Sequence, residues 1–182
     1  MLATRLQRAP LFEDDPRGMD FLKRLRRGAG EQSQMTNALV LHAGGVLSVV
    51  GESHRQDALG QVARDATGPE PYLADLKGRA RALAREDGRL WFLAALLREP
   101  DNPYDENAIA VHATGVGLIG YLDRETALDY APVFNELARQ GYSVGACPAM
   151  LTGGGPSKSW GVVLCLSSPD AVIGDLRSPP SE

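Results

Sequence analysis

With 182 residues, the chain is long enough for one domain with a hydrophobic core plus flanking segments. Hydrophobic residues make up 43% and charged residues 23%, the balance of a soluble globular protein. A net charge of −4 and a pI near 5.4 argue against a broad basic surface gripping duplex DNA, although net charge says nothing against a local pocket.

Residues 1–43 read as a leader. In it Met19, Phe21, Leu22 and Leu25 can line one side of a short helix, with Lys23, Arg24, Arg26 and Arg27 around it and Gly28 and Gly30 ending it. The basic cluster reads first as a solvated face or tail and second as an auxiliary phosphate contact. No apolar run is long enough to span a bilayer, and the basic N-terminus lacks the apolar stretch of a signal peptide. A cytoplasmic location without membrane association is therefore expected.

The compact domain is expected over residues 44–168. Val46, Leu47, Val49 and Val50 predict a strand ended by Gly51. Leu59, Val62, Ala63 and Ala66 recur at helical spacing, and Thr67-Gly68-Pro69 stops that helix. Tyr72, Leu73, Leu76, Ala80, Leu83 and Ala84 predict a second helix, weakened by Gly78 at its centre. The apolar run from Leu90 to Leu97 reads as a buried strand. Ala108–Val111 and Leu118–Leu122 predict a hairpin turned by Gly115 and Gly117.

Asp123 is a candidate N-cap for a short helix through Tyr130. Pro132 lacks an N–H, so it is expected to open a separate helix ending near Arg139, with Gly141 as its stop. Strands are predicted around residues 142–151 and 160–166, flanking the glycine-rich loop Gly153-Gly154-Gly155. A phosphate-binding reading of that loop wants a helix after it, whereas a strand follows, so a hairpin loop is expected. Residues 169–182, rich in Ser and Pro, read as a flexible tail. Cys147 and Cys165 lie in strand-like stretches and are expected as buried free thiols; a disulfide is a minor reading, and a zinc site would want closer ligand spacing. Short strands, hairpin turns and a few inserted helices predict an α+β, mainly β small barrel.

The most specific stretch is Arg98-Glu99-Pro100-Asp101-Asn102-Pro103-Tyr104-Asp105-Glu106-Asn107-Ala108-Ile109, followed by Leu118-Ile119-Gly120-Tyr121-Leu122. Prolines and Asx residues also suit a plain turn. The order of residues nevertheless resembles the signature of the HIRAN family, and the start Asp123-Arg124-Glu125-Thr126-Ala127 and Val49-Val50-Gly51-Glu52-Ser53 are similar to it as well. The resemblance covers roughly Val46 to Leu166. It implies an OB-like β-barrel that binds the 3′ end of single-stranded DNA, a module joined in eukaryotes to helicase-like ATPases acting at stalled forks. This chain contains no GxxxxGK[ST] pattern, so the ATPase activity is not carried over.

Carried over by motif, the resemblance implies a nucleic-acid site at Asn102, Tyr104 and Asp105. A tyrosine ring can stack on a base, and an ionised carboxylate, which only accepts hydrogen bonds, suits a free 3′-hydroxyl and repels a 3′-phosphate. Asn102 either organises the loop or contacts the terminal nucleotide. Where DNA-end-binding members carry a basic residue and aromatics after the first strand, this chain has Glu52-Ser53-His54-Arg55. His54 is the candidate stacking surface and Arg55 the candidate phosphate contact. Partners expected are single-stranded DNA and repair proteins, with no cofactor. Two other readings stay open: a protein-interaction domain that kept the fold without the ligand, since residues 89–168 carry more acids than bases, and a hydrolase holding Mg²⁺ on Asp101, Asp105 and Glu106. No GxSxG elbow is present.

Overall fold

The computed structural model describes residues 38–155 and 157–178. The helix expected over residues 19–27 lies outside them. Seven strands form one sheet: β1 (Ala38–Val40), β2 (Leu47–Ser48), β3 (Trp91–Arg98), β4 (Ile109–Ala113), β5 (Gly117–Tyr121), β6 (Val144–Gly153) and β7 (Trp160–Leu164). Four helices accompany them: α1 (Gln56–Asp65), α2 (Gly78–Leu83), α3 (Arg124–Arg139) and α4 (Pro169–Arg177).

The strand order is β2-β7-β6-β3-β4-β5, each neighbour antiparallel, with β1 added parallel to β6. The two edges meet where Val50 and Tyr121 exchange backbone hydrogen bonds of 2.9 Å in both directions. The sheet thus curls into the small OB-like barrel of an α+β fold. Gly120 makes the closure possible, because a Cβ there would lie 2.6 Å from the Val50 carbonyl oxygen.

Strand β3 explains its own composition. Phe92, Ala94 and Leu96 face the barrel core with Ile109, Val111 and Ile119. Trp91 faces outward under Leu76, Ala80 and Ala84, while Ala95 and Leu97 pack outward with Ala38 and Val144. Both faces are covered, so the strand reads as an unbroken apolar run. Helices α1, α3 and α4 close the core with Leu59 and Val62, with Tyr130, Val133 and Leu137, and with Val172 and Leu176. Each such fully buried aliphatic side chain contributes about 1.5–3 kcal/mol. Cys147 and Cys165 are buried free thiols, and burial pushes the Cys165 thiol up to about 12.

Four expectations need correction. The helix expected across residues 72–84 is two short pieces, a 3₁₀ turn at Glu70–Tyr72 and α2, because Gly78 sits at φ +45° where a side chain would strike the Gly44 carbonyl. Pro132 does not divide α3. It lies on the exposed face, as does Leu128 one turn before it, while buried Ala127, Tyr130, Val133 and Leu137 hold both halves on one core. Residues 38–43, placed in the leader, belong to the domain: β1 pairs with β6, and Leu41 and Ala43 are buried. Residues 169–177, expected as flexible tail, form α4. Pro169 suits the first helical turn, and Glu136 and Gln140 of α3 hold the far end through Arg177 and the Leu176 carbonyl.

Candidate nucleic-acid interface

The loop 99–107 joins β3 to β4, and its polar side chains bond mainly to the loop itself. Asn102 donates through its amide N–H to the Glu99 carbonyl (3.0 Å) and through Nδ2 to Glu99 Oε2 (2.8 Å). Its Oδ1 accepts from the Tyr104 amide (3.0 Å), and Asp105 Oδ1 accepts from the Asn107 amide (2.9 Å). These are Asx turns, in which a short side chain stands in for a backbone partner two residues on. Asn102 is therefore an organiser of the loop. The Tyr104 ring is left at the tip, 87% exposed.

Helix α3 fixes the loop from the side. Asp123 caps the helix, accepting from the Thr126 amide (3.1 Å) and hydroxyl (2.6 Å), bonds that hold its carboxyl below the usual range. The next residue, Arg124, places Nε 3.4 Å from Asp105 Oδ2 and donates through Nη2 to the Tyr104 carbonyl (3.0 Å). Asp105 is the more sheltered partner, its side chain 20% exposed against 78% for Arg124.

Tyr121 brings in the second segment. Cross-strand partners share a face, so Tyr121 lies beside Ala110, and Leu118 beside His112, on the outward side of β4 and β5. A register shift between Val111 and His112 reverses the alternation, which is why Ile119 is buried while Tyr121, two residues on, is partly exposed. The Tyr121 hydroxyl donates to Glu99 Oε2 (3.3 Å). Burial, followed by the charge of Glu99, raises its pKa, and the Arg55 charge opposes this. His112 is held below its usual range by burial, partly offset by Glu99.

Arg55 ends the 3₁₀ turn Glu52–His54 that leaves the barrel at Gly51 (φ 81°). With Ser53, His54, Gln56, Asp57, Ala58 and Leu118 it lines a cavity of about 370 Å³ at the first turn of α1. Gln56 ties this turn to β7 as a surrogate strand residue: Nε2 donates to the Trp160 carbonyl (2.9 Å) and Oε1 accepts from the Trp160 amide (2.8 Å).

The five residues picked from the sequence thus fall into two groups. His54 and Arg55 line the cavity, while Asn102, Tyr104 and Asp105 belong to the loop, which Glu99 ties to Tyr121 of β5. Sequence reasoning passed over Glu99, Tyr121 and Arg124. Tyr121 was hidden by the register shift, since strict alternation from buried Ile119 turns it inward. Arg124 was visible only as one charge at a helix start. Asp101, Asp105 and Glu106 make no metal cage: among the described residues no group of three or more His, Cys, Asp or Glu is placed to hold a metal ion. Nor, among them, is any helix long and apolar enough to cross a membrane.

Residues 94–148, from β3 into β6, match the family model of the HIRAN domain. The match takes in the loop, Tyr121 and Arg124, and leaves out His54 and Arg55. No curated protein and no solved structure matches the chain.

Proposed function

We propose that this protein, whose residues 94–148 match the HIRAN domain, a family of nucleic-acid-binding modules, is a non-catalytic receptor for the 3′-hydroxyl end of single-stranded DNA, acting in DNA repair or at replication forks. The observation that carries the reading is Tyr104, a large aromatic ring 87% exposed on a loop fixed by Asn102, Asp105 and Arg124. With its backbone held at the amide and the carbonyl, the residue presents the ring to a base, and stacking is a contact of about 1–3 kcal/mol.

The neighbouring groups supply the rest. Arg124 beside the loop and Arg55 beside the cavity are the cations available to neutralise phosphates. An ionised carboxylate has more acceptor sites than the two bonds Asp105 makes, so it retains room for a terminal hydroxyl. A terminal phosphate there meets like charge. His54 lies where a second base would stack, beside Leu118.

Fluorescence anisotropy with short oligonucleotides ending in 3′-hydroxyl or 3′-phosphate tests this. Tighter binding of the hydroxyl form by about tenfold, or 1.4 kcal/mol, is expected. Equal binding of both forms, or of neither, removes end recognition. One observation favours a second reading, a protein-interaction domain: both Asp105 oxygens already have partners within the chain. Under that reading Tyr104→Ala leaves DNA binding unchanged.

A further inference from the structure

We infer that Glu99 is the positioning residue of this interface, one carboxylate oxygen fixing Asn102 of the loop and Tyr121 of β5 together and thereby setting how Tyr104 is presented. The inference rests on the loop being the ligand contact proposed above. Glu99 Oε2 accepts from Asn102 Nδ2 at 2.8 Å and from the Tyr121 hydroxyl at 3.3 Å. A carboxamide is planar, with donors on one side and the acceptor on the other. Anchoring Nδ2 on Glu99 therefore aims Oδ1, and Oδ1 is what accepts the Tyr104 amide at 3.0 Å. With the anchor gone, Asn102 is free to turn and the Tyr104 amide loses its partner.

The position of Glu99 makes it a junction. It is the first residue after β3, its amide donating to the Ala108 carbonyl across the mouth of the loop at 2.9 Å. After burial, its charge is the next cause that raises the pKa of Tyr121, and it partly offsets the lowering of the His112 pKa by burial. Glu99 thus stands between the loop and β5. It needs to touch no ligand, because it acts through Asn102 and Tyr121.

The test compares Glu99→Ala, Glu99→Gln and Tyr121→Phe with the unmodified protein, using amide exchange at Tyr104, titration of the Tyr121 ring by NMR and binding of a 3′-hydroxyl oligonucleotide. Glu99→Ala is expected to speed Tyr104 exchange and weaken binding, each about tenfold, the scale of losing a charge-assisted bond. It also moves the Tyr121 pKa down toward its ordinary value. Glu99→Gln keeps a carbonyl oxygen able to accept both bonds, so it restores exchange and binding but not the Tyr121 titration, which needs the charge. Unchanged Tyr104 exchange in Glu99→Ala overturns the inference. If that variant does not fold, Tyr121→Phe decides: faster Tyr104 exchange supports the inference and unchanged exchange overturns it. Unmodified protein that binds no oligonucleotide overturns the ligand reading, while the exchange and titration results still judge Glu99 without ligand.

Discussion

Arg124 of α3 and Asp105 of the loop form an ion pair, Nε to Oδ2 at 3.4 Å, and the same guanidinium donates to the carbonyl of Tyr104 at 3.0 Å. The arginine is largely exposed, so the pair adds only about 0–1 kcal/mol to stability. Its consequence is geometric: a planar fork reaches a carboxylate and a carbonyl at once, which an ammonium does not. Arg124→Ala and Arg124→Lys are both expected to melt close to the unmodified protein. Both weaken single-stranded DNA binding by roughly threefold to tenfold, up to about 1.4 kcal/mol, with Lys nearer to Ala than to Arg. Thermal denaturation and anisotropy measured on the same samples check it.

Tyr104 separates binding from folding more sharply. An 87% exposed ring contributes little to the core, so Tyr104→Ala is expected to change stability by less than about 0.5 kcal/mol. Loss of a stacking surface costs about 1–3 kcal/mol of DNA affinity, roughly fivefold to 150-fold. Tyr104→Phe keeps the ring face and is expected to bind as the unmodified protein does. Titration of both variants with a 3′-hydroxyl oligonucleotide distinguishes stacking from a role of the hydroxyl.

Much of this was legible in the chain. The run from Trp91 to Leu97, the hairpin from Ile109 to Tyr121 and the Asp123 cap followed from period, turn residues and capping chemistry. The Asn-Pro-Tyr-Asp order located the loop and its exposed ring. What was not legible depends on contacts distant in sequence. Pro132 is tolerated because the helix is held by its buried face, a tertiary effect that overrides the local rule. Helix α4 is held by Glu136 of α3, 41 residues before Arg177. The bond from Tyr121 to Glu99 joins β5 to the loop after β3 across 22 residues.

The barrel's closure between Val50 and Tyr121 yields a prediction of its own. A methyl group at residue 120 meets both the Val49 side chain and the Val50 carbonyl, backbone that cannot swing aside. Gly120→Ala is expected to cost about 1–3 kcal/mol, the range for overpacking. The damage falls on the two bonds between Val50 and Tyr121. Amide exchange at those two residues should rise by more than at Ile109 or Leu96, deep in the core. Uniform acceleration across the sheet speaks against a local opening of the seam.

Glu136 makes stability depend on acid. The carboxylate is only 4% exposed and accepts from Arg139 (2.7 Å), Gln140 (2.9 Å) and Arg177 (3.4 Å). These bonds, Arg139 first, lower its pKa from the ordinary 4.5 to about 2. A carboxyl that is a stronger acid when folded favours the fold above its unfolded value and loses that contribution as pH falls through its folded one. Glu136 thus adds its full share above about pH 4.5 and progressively less toward pH 2. Glu136→Gln is expected to melt lower than the unmodified protein at neutral pH, with the gap narrowing between pH 4.5 and 2. The variant keeps some acid sensitivity of its own, because the Asp123 cap is depressed in the same direction. Thermal melts of both proteins across that range test it, and a gap that stays constant with pH removes Glu136 as the titrating group. Helix α4 should report the loss first, since Arg177 and the Leu176 carbonyl meet α3 at Glu136 and Gln140.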